Sequence, residues 1–178
     1  RMNKYSTARY EAFRKLNMKK EQWDLALEIF MDGDFDYYHE LRALSSFGDV
    51  EFYAILISEF EKLKDYKSNI SYLKLINREN DFERILDYIK HNPYSIKEYA
   101  YKLYSIFPDE VKTIYRDYIF NSSENASKRS AYRHICDDIK DYYYITKDRM
   151  GTTYLINELS TLYTRRSAFK DELNKIKL

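Results

Sequence analysis

One cysteine in 178 residues, three glycines, two prolines and no long apolar run set the outer limits of what this chain can be. A single thiol excludes an internal disulfide and a cysteine-based zinc site built by this chain alone, which points to a reducing, cytoplasmic setting. Glycine and proline are too scarce for the turn at about every 8 to 12 residues that a sandwich or barrel needs. No apolar stretch approaches the roughly 18 residues of a membrane span, and the first residues lack the basic, apolar and small-residue order of a secretory signal, so no membrane role is expected. Gly33, Gly48 and Gly151 each stand alone, so no phosphate-cradling loop exists. Charge of one sign is missing too. The 30 basic residues nearly cancel 29 acidic ones, and with 44% hydrophobic residues this excludes a disordered polyelectrolyte.

What is present is helical periodicity. Ile96, Tyr99, Ala100, Leu103 and Phe107 recur at the i, i+3, i+4, i+7 spacing of one buried stripe. The same template fits Val50, Tyr53, Ala54 and Ile57, then Phe82, Ile85, Leu86 and Ile89, then Val111, Ile114, Tyr115, Tyr118 and Ile119. Further along it fits Tyr132, Ile135, Cys136, Ile139 and Tyr142, then Leu155, Leu159 and Leu162, and finally Phe169, Leu173 and Ile176. Punctuation agrees. Gly33-Asp34 and Gly48-Asp49 each pair a helix stop with an N-cap acceptor, Ser95 and Glu98 have the spacing of a capping box, and Pro108 with Asp109 and Glu110 opens a helix. Asn121 to Ser127 is the one polar break of any length, readable as a loop or as the exposed middle of a long helix.

Connections this short place consecutive helices antiparallel. A slide of 47 residues sets Leu25, Ile29, Asp34 and Phe35 on Tyr72, Ile76, Asp81 and Phe82, so Gly33-Asp34-Phe35 and Asn80-Asp81-Phe82 become equivalent turns. The expected architecture is all-α: a right-handed αα-hairpin solenoid of the tetratricopeptide type with about 10 to 11 helices. It is expected as one helical-repeat domain over 1–178, with N-terminal hairpins in 1–66, middle hairpins in 67–125 and mildly basic C-terminal hairpins in 126–178.

Residues able to carry chemistry are scattered. His39, His91 and His134 have no metal-ligand spacing, and His134 and Cys136, two apart, point about 200° away from each other on a helix. Cys136 belongs to an apolar stripe and reads as an inert core thiol. Acid pairs such as Asp137-Asp138 and Asp171-Glu172 fall on charged helix faces. No catalytic, cofactor-binding or metal-binding residue is assigned, no cofactor is expected, and the chain is read as a non-enzyme. Tyrosine stands out, with 20 copies, and Tyr142, Tyr143 and Tyr144 in succession cannot all face one core. From Ala126 onward 11 basic residues outnumber 7 acidic ones. Lys128, Arg129, Arg133, Tyr163, Arg165 and Arg166 are therefore the candidate binding surface. The expected role is a scaffold or protein-interaction module with a protein partner. Nucleic-acid binding through the same basic third is the alternative.

Three segments carry a family resemblance. Phe107-Pro108-Asp109-Glu110-Val111 leading to Tyr115-Arg116, Ala126-Ser127-Lys128-Arg129-Ser130-Ala131-Tyr132, and the run from Tyr163 through Arg165, Arg166 and Phe169 to Leu173 resemble the closing helical region of bacterial SWIM zinc-finger proteins. The resemblance spans about residues 80 to 176. It implies a tetratricopeptide-like helical array, which in that family follows a zinc module with Cys-x-Cys and Cys-x-His pairs. This sequence lacks a second cysteine, so the resemblance implies the array and not the metal, and a fragment of a longer protein is expected, Arg1 preceding Met2 being compatible with a cut chain.

Overall fold

The computed structural model describes residues 4–178, of which 78% are helical, with no strand among them. Eleven α-helices follow one another there, as the periodicity and the shortage of turn residues require. They group into two compact units, residues up to Phe82 and Glu83–Leu178, with the boundary inside the segment read above as the middle hairpins.

The first unit holds α1 (Lys4–Lys15), α2 (Lys19–Met31), α3 (Tyr37–Leu44), α4 (Asp49–Glu61), a 3-10 turn at Tyr66–Ser68 and α5 (Ile70–Arg78). Its core is a run of rings. Phe30 lies 5.4 Å from Phe60, which meets Tyr72 at 5.6 Å, and Tyr38 meets Phe52 edge-on at 5.6 Å. Three helix ends close the same way. Asn17, Gly33 and Asn80 all have positive φ (55°, 109° and 54°), and the next amide reaches back five residues, Met18 to Phe13, Asp34 to Ile29 and Asp81 to Ile76. This is the left-handed helix stop that Gly and Asn adopt most cheaply. The equivalence of Gly33 and Asn80 expected from the 47-residue slide is therefore a shared backbone geometry.

Several local expectations fail for identifiable reasons. The buried face of α4 is Phe52, Leu56, Ile57 and Phe60, whereas Val50 is 83% exposed and Ala54 faces water. Gly48 has an ordinary φ of −65° and precedes α4 as its N-cap, so it stops no helix. The Asp49 carboxylate accepts from the Arg42 guanidinium at 2.7 Å, and Arg42 also donates to the Phe47 carbonyl, which fixes the α3-to-α4 connection. Asp34 caps no helix either. Its carboxylate accepts from the Asp36 amide two residues on. The cap that does form is Asn69, which accepts from the amides of Ser71 and Tyr72 and donates to the Met31 carbonyl.

The second unit holds α6 (Phe82–His91, entered at the boundary), a 3-10 turn at Pro93–Ser95, α7 (Ile96–Leu103), α8 (Pro108–Asn125), α9 (Arg129–Thr146), α10 (Arg149–Leu162) and α11 (Ser167–Leu173). Packing runs mainly between neighbours: α7 on α8, α8 on α9, α9 on both α10 and α11. Ile96, Ala100, Leu103, Val111, Ile119, Ile139, Leu155, Leu159 and Phe169 are fully buried, as their stripes predict. Leu162 departs from its stripe and is exposed. Ser95 and Glu98 form no capping box, because Pro93–Ser95 already coils as a 3-10 turn and the Ser95 hydroxyl turns toward the Tyr88 hydroxyl at 3.4 Å. Asn121–Asn125 is the last turn of α8, and only 126–128 is loop. No helix among the described residues is long and apolar enough to cross a membrane.

Candidate functional site

The basic residues singled out from the sequence converge at one end of the second unit, but most are occupied within the fold. Arg129 on α9 donates to Glu172 at 3.1 Å and to Asp171 at 3.2 Å. Arg133, one turn on, reaches Glu172 at 3.7 Å, and Lys175 closes on the same carboxylate at 2.9 Å. Glu172 is itself buried, so three cations surround one carboxylate that ties α11 to α9. These neighbours hold its pKa below the ordinary glutamate value, Lys175 foremost. A depressed carboxylate contributes stability that is complete above its unfolded pKa of 4.5 and disappears as pH falls through the lower folded value. Glu172→Gln is therefore expected to flatten the acid limb of the pH–stability curve, measured by urea unfolding between neutral and acid pH.

Arg166 serves another structural end. Its guanidinium donates to the carbonyls of Ser123 at 2.6 Å and Glu124 at 3.2 Å, where the negative end of the α8 dipole welcomes a cation. It also lies over the Tyr163 ring at 4.3 Å, and Tyr163 in turn meets Phe169 at 5.8 Å. Phe169 stacks on Tyr132 at 4.8 Å. Lys128 and Arg165 differ: both are exposed and make no ion pair among the described residues. The six candidates thus resolve into four that brace α8, α9 and α11 and two that remain free.

Cys136 is 5% exposed, and burial pushes its thiol up to about 11. A thiol so placed is scarcely ionised at neutral pH and out of reach of reagents. Labelling by a chromogenic disulfide is expected to be slow in the native protein and complete after denaturation; rapid native labelling would contradict the packing of α9 against α11. No group of three or more His, Cys, Asp and Glu residues among the described ones could hold a metal ion.

Sequence reasoning missed the feature that most resembles a binding surface. On α10, Met150 is 85% exposed and Tyr154, four residues on, and Leu162, eight further, are each 60% exposed, with Glu158 between the last two. A shallow groove there is lined by Tyr154, Asn157, Glu158, Thr161 and Leu162. Arg116 from α8 crosses to Glu158 at 3.2 Å and lies 5.6 Å from the centre of the Tyr154 ring, so the one charge on the stripe is answered from within the fold. The opposite face of α10 is anchored by Thr152, Leu155 and Leu159. At its start Asp148 accepts from the Gly151 amide at 2.8 Å, and a Cβ at Gly151 would stand 2.6 Å from that carboxylate, so any larger residue there would have to push the capping carboxylate aside. The signal was present in sequence as Met150 and Tyr154, four apart and outside the stripe of Leu155 and Leu159.

No family model, curated protein or solved structure matches the chain. Functional inference therefore rests on the geometry of its own residues.

Proposed function

We propose that the chain is a non-catalytic helical-repeat scaffold whose hairpins stack as a right-handed tetratricopeptide-like solenoid and which docks a protein partner on the outward face of α10. The kinship with the helical region of SWIM zinc-finger proteins and a cytoplasmic setting belong to the same proposal. The observation that carries it is the exposed apolar stripe of Met150, Tyr154 and Leu162. Large apolar side chains scattered singly need no explanation, but Tyr154 and Leu162 flank one groove, with Met150 exposed one turn before Tyr154, and together they have the form of an anchor site. The internal pairing of Arg116 with Glu158 supports an apolar occupant, since no uncompensated charge must be stripped of water on docking.

The nucleic-acid alternative has less material to work with, because Arg129, Arg133 and Arg166 are committed to Glu172, Asp171 and the α8 carbonyls. Of the cations singled out from the sequence, Lys128 and Arg165 are left to it. A photo-crosslinking amino acid in place of Tyr154, with the same substitution at Lys128 as a control, separates the readings in cell extract. Adducts from position 154 that persist at high salt are expected. Adducts confined to position 128, or an association with oligonucleotides that falls steeply with salt, would favour phosphate contacts instead.

A further inference from the structure

Ion pairs between helices of the second unit share a direction. Lys97 on α7 pairs with Asp138 on α9, Lys112 on α8 with Asp148 at the head of α10, and Arg116 on α8 with Glu158 on α10. Arg129 on α9 pairs with Asp171 and Glu172 on α11. In each pair the cation comes first, and its carboxylate lies 36 to 43 residues further along the chain. Order is kept too. Lys97 and then Tyr104 of α7 meet Asp138 and then Thr146 of α9, so these helices run parallel, and Lys112 and Arg116 set α8 parallel to α10 in the same way. Each helix thus offers cations to the helix two further on, which answers with acids. Arg166 reaches the other way, but to the carbonyls of Ser123 and Glu124 rather than to a carboxylate.

On the far side of α10 half of this pattern is repeated. Glu158 meets α8, and Ile156, two residues earlier, points about 200° round the helix from it, away from α8. Arg149, Thr153 and Ile156, at i, i+4 and i+7, share that side and line a recess together with Leu173, Asn174 and Ile176. No side chain lining it is acidic. Arg149 is exposed and makes no ion pair among the described residues. Lys170, one turn before Asn174 on α11, is a second cation with no ion pair among them. Leu173 is buried at the floor, whereas Ile156 and Ile176 are only half-buried. The cations are offered here as they are on α8 and α9, around an apolar floor, and no acid of the described residues answers them.

We propose that this recess docks an acidic amphipathic helix of a partner protein, laid along α10 with apolar side chains over Ile156 and carboxylates opposite Arg149 and Lys170. Continuity fixes the occupant: the matching side of α8 receives α10, that of α9 receives α11, and each arriving helix brings the acids. A nucleic acid would leave the apolar floor unmatched. The recess lies on the other side of α10 from the groove at Tyr154 and does not depend on it. The full chain with methyl-labelled isoleucine and leucine is titrated with a synthetic helical peptide bearing leucines at i, i+3 and i+7 flanked by glutamates, and with the same peptide bearing lysines in place of the glutamates. The acidic peptide should shift the Ile156 and Leu173 signals saturably and leave that of Leu162 in place, and the lysine peptide should bind about tenfold more weakly or worse. Arg149→Glu should weaken the acidic peptide by about fivefold to tenfold and strengthen the lysine peptide, a reversal that loss of folding cannot imitate. No saturable shift, equal binding of the two peptides, or an Arg149→Glu chain with the parent's preference would overturn the proposal. So would an Ile156 signal that moves with protein concentration alone, which marks a second copy as the occupant, or displacement of the acidic peptide by a single-stranded oligonucleotide.

Discussion

Phe30→Ala is expected to cost about 3 to 5 kcal/mol of folding free energy, the range for deleting a buried phenylalanine where the surroundings relax only in part. Phe30 is completely buried, and its ring meets Phe35 at 5.7 Å, Phe60 at 5.4 Å and Tyr38 at 6.4 Å, so three rings lose a neighbour together. Collapse is restricted because Tyr38 is held elsewhere, its hydroxyl donating to Glu79 at 3.1 Å and its face covered by Arg78 at 4.5 Å. Urea unfolding of the two chains measures the difference. A loss below about 1 kcal/mol would mean that the ring cluster of the first unit is not formed as described.

Lys97→Met should be nearly as damaging, although it alters a half-exposed side chain. Asp138 is 3% exposed on α9, and its carboxylate is met by the Lys97 ammonium and by the Tyr118 hydroxyl at 3.2 Å. Removing the ammonium leaves a buried carboxylate without its counter-charge. Breaking a buried pair in this way costs about 3 kcal/mol, the low end of its range, since Lys97 itself stays partly in water. The sign with pH follows. In the parent, the Asp138 hydrogen bond raises the Lys97 pKa above 10.5, so that contribution is complete below 10.5 and is lost as alkaline pH passes the folded value. The double variant Lys97→Met with Asp138→Leu should recover most of the loss. If it does not, the damage lies in packing around α7 rather than in the orphaned charge.

Much of the second unit is legible in sequence because its stripes are built of aliphatic residues that fit one helical register. Ile85, Leu86 and Ile89, or Ile135 and Ile139, leave no competing face. On α4 the template fits twice, and the register with Val50 and Tyr53 loses to the one that buries Phe52 and Phe60, because larger rings gain more by leaving water. Turn chemistry was readable where backbone sterics decide, at Gly33 and Asn80. It was opaque where a distant side chain decides, as when Arg42 claims Asp49. The candidate surface fails to emerge from sequence for the same kind of reason. Charge counting marks Arg129, Arg133 and Arg166, but their partners lie more than 35 residues away along the chain, at Asp171, Glu172, Ser123 and Glu124. Of Tyr142, Tyr143 and Tyr144, the first is buried, the second half-buried and the third exposed, a split that helix geometry alone required.

The central functional claim is that the outward face of α10 receives a partner, and Met150 is a built-in probe of that face. With methyl-labelled methionine, Met150 gives a signal from an 85% exposed side chain, while Met18 and Met31 are partly covered controls in the other unit. In cell extract the Met150 signal should broaden or shift while the other two hold their positions, and Tyr154→Ser should restore the free spectrum without changing the thermal midpoint. A Met150 signal that is the same in extract as in buffer would contradict the claim.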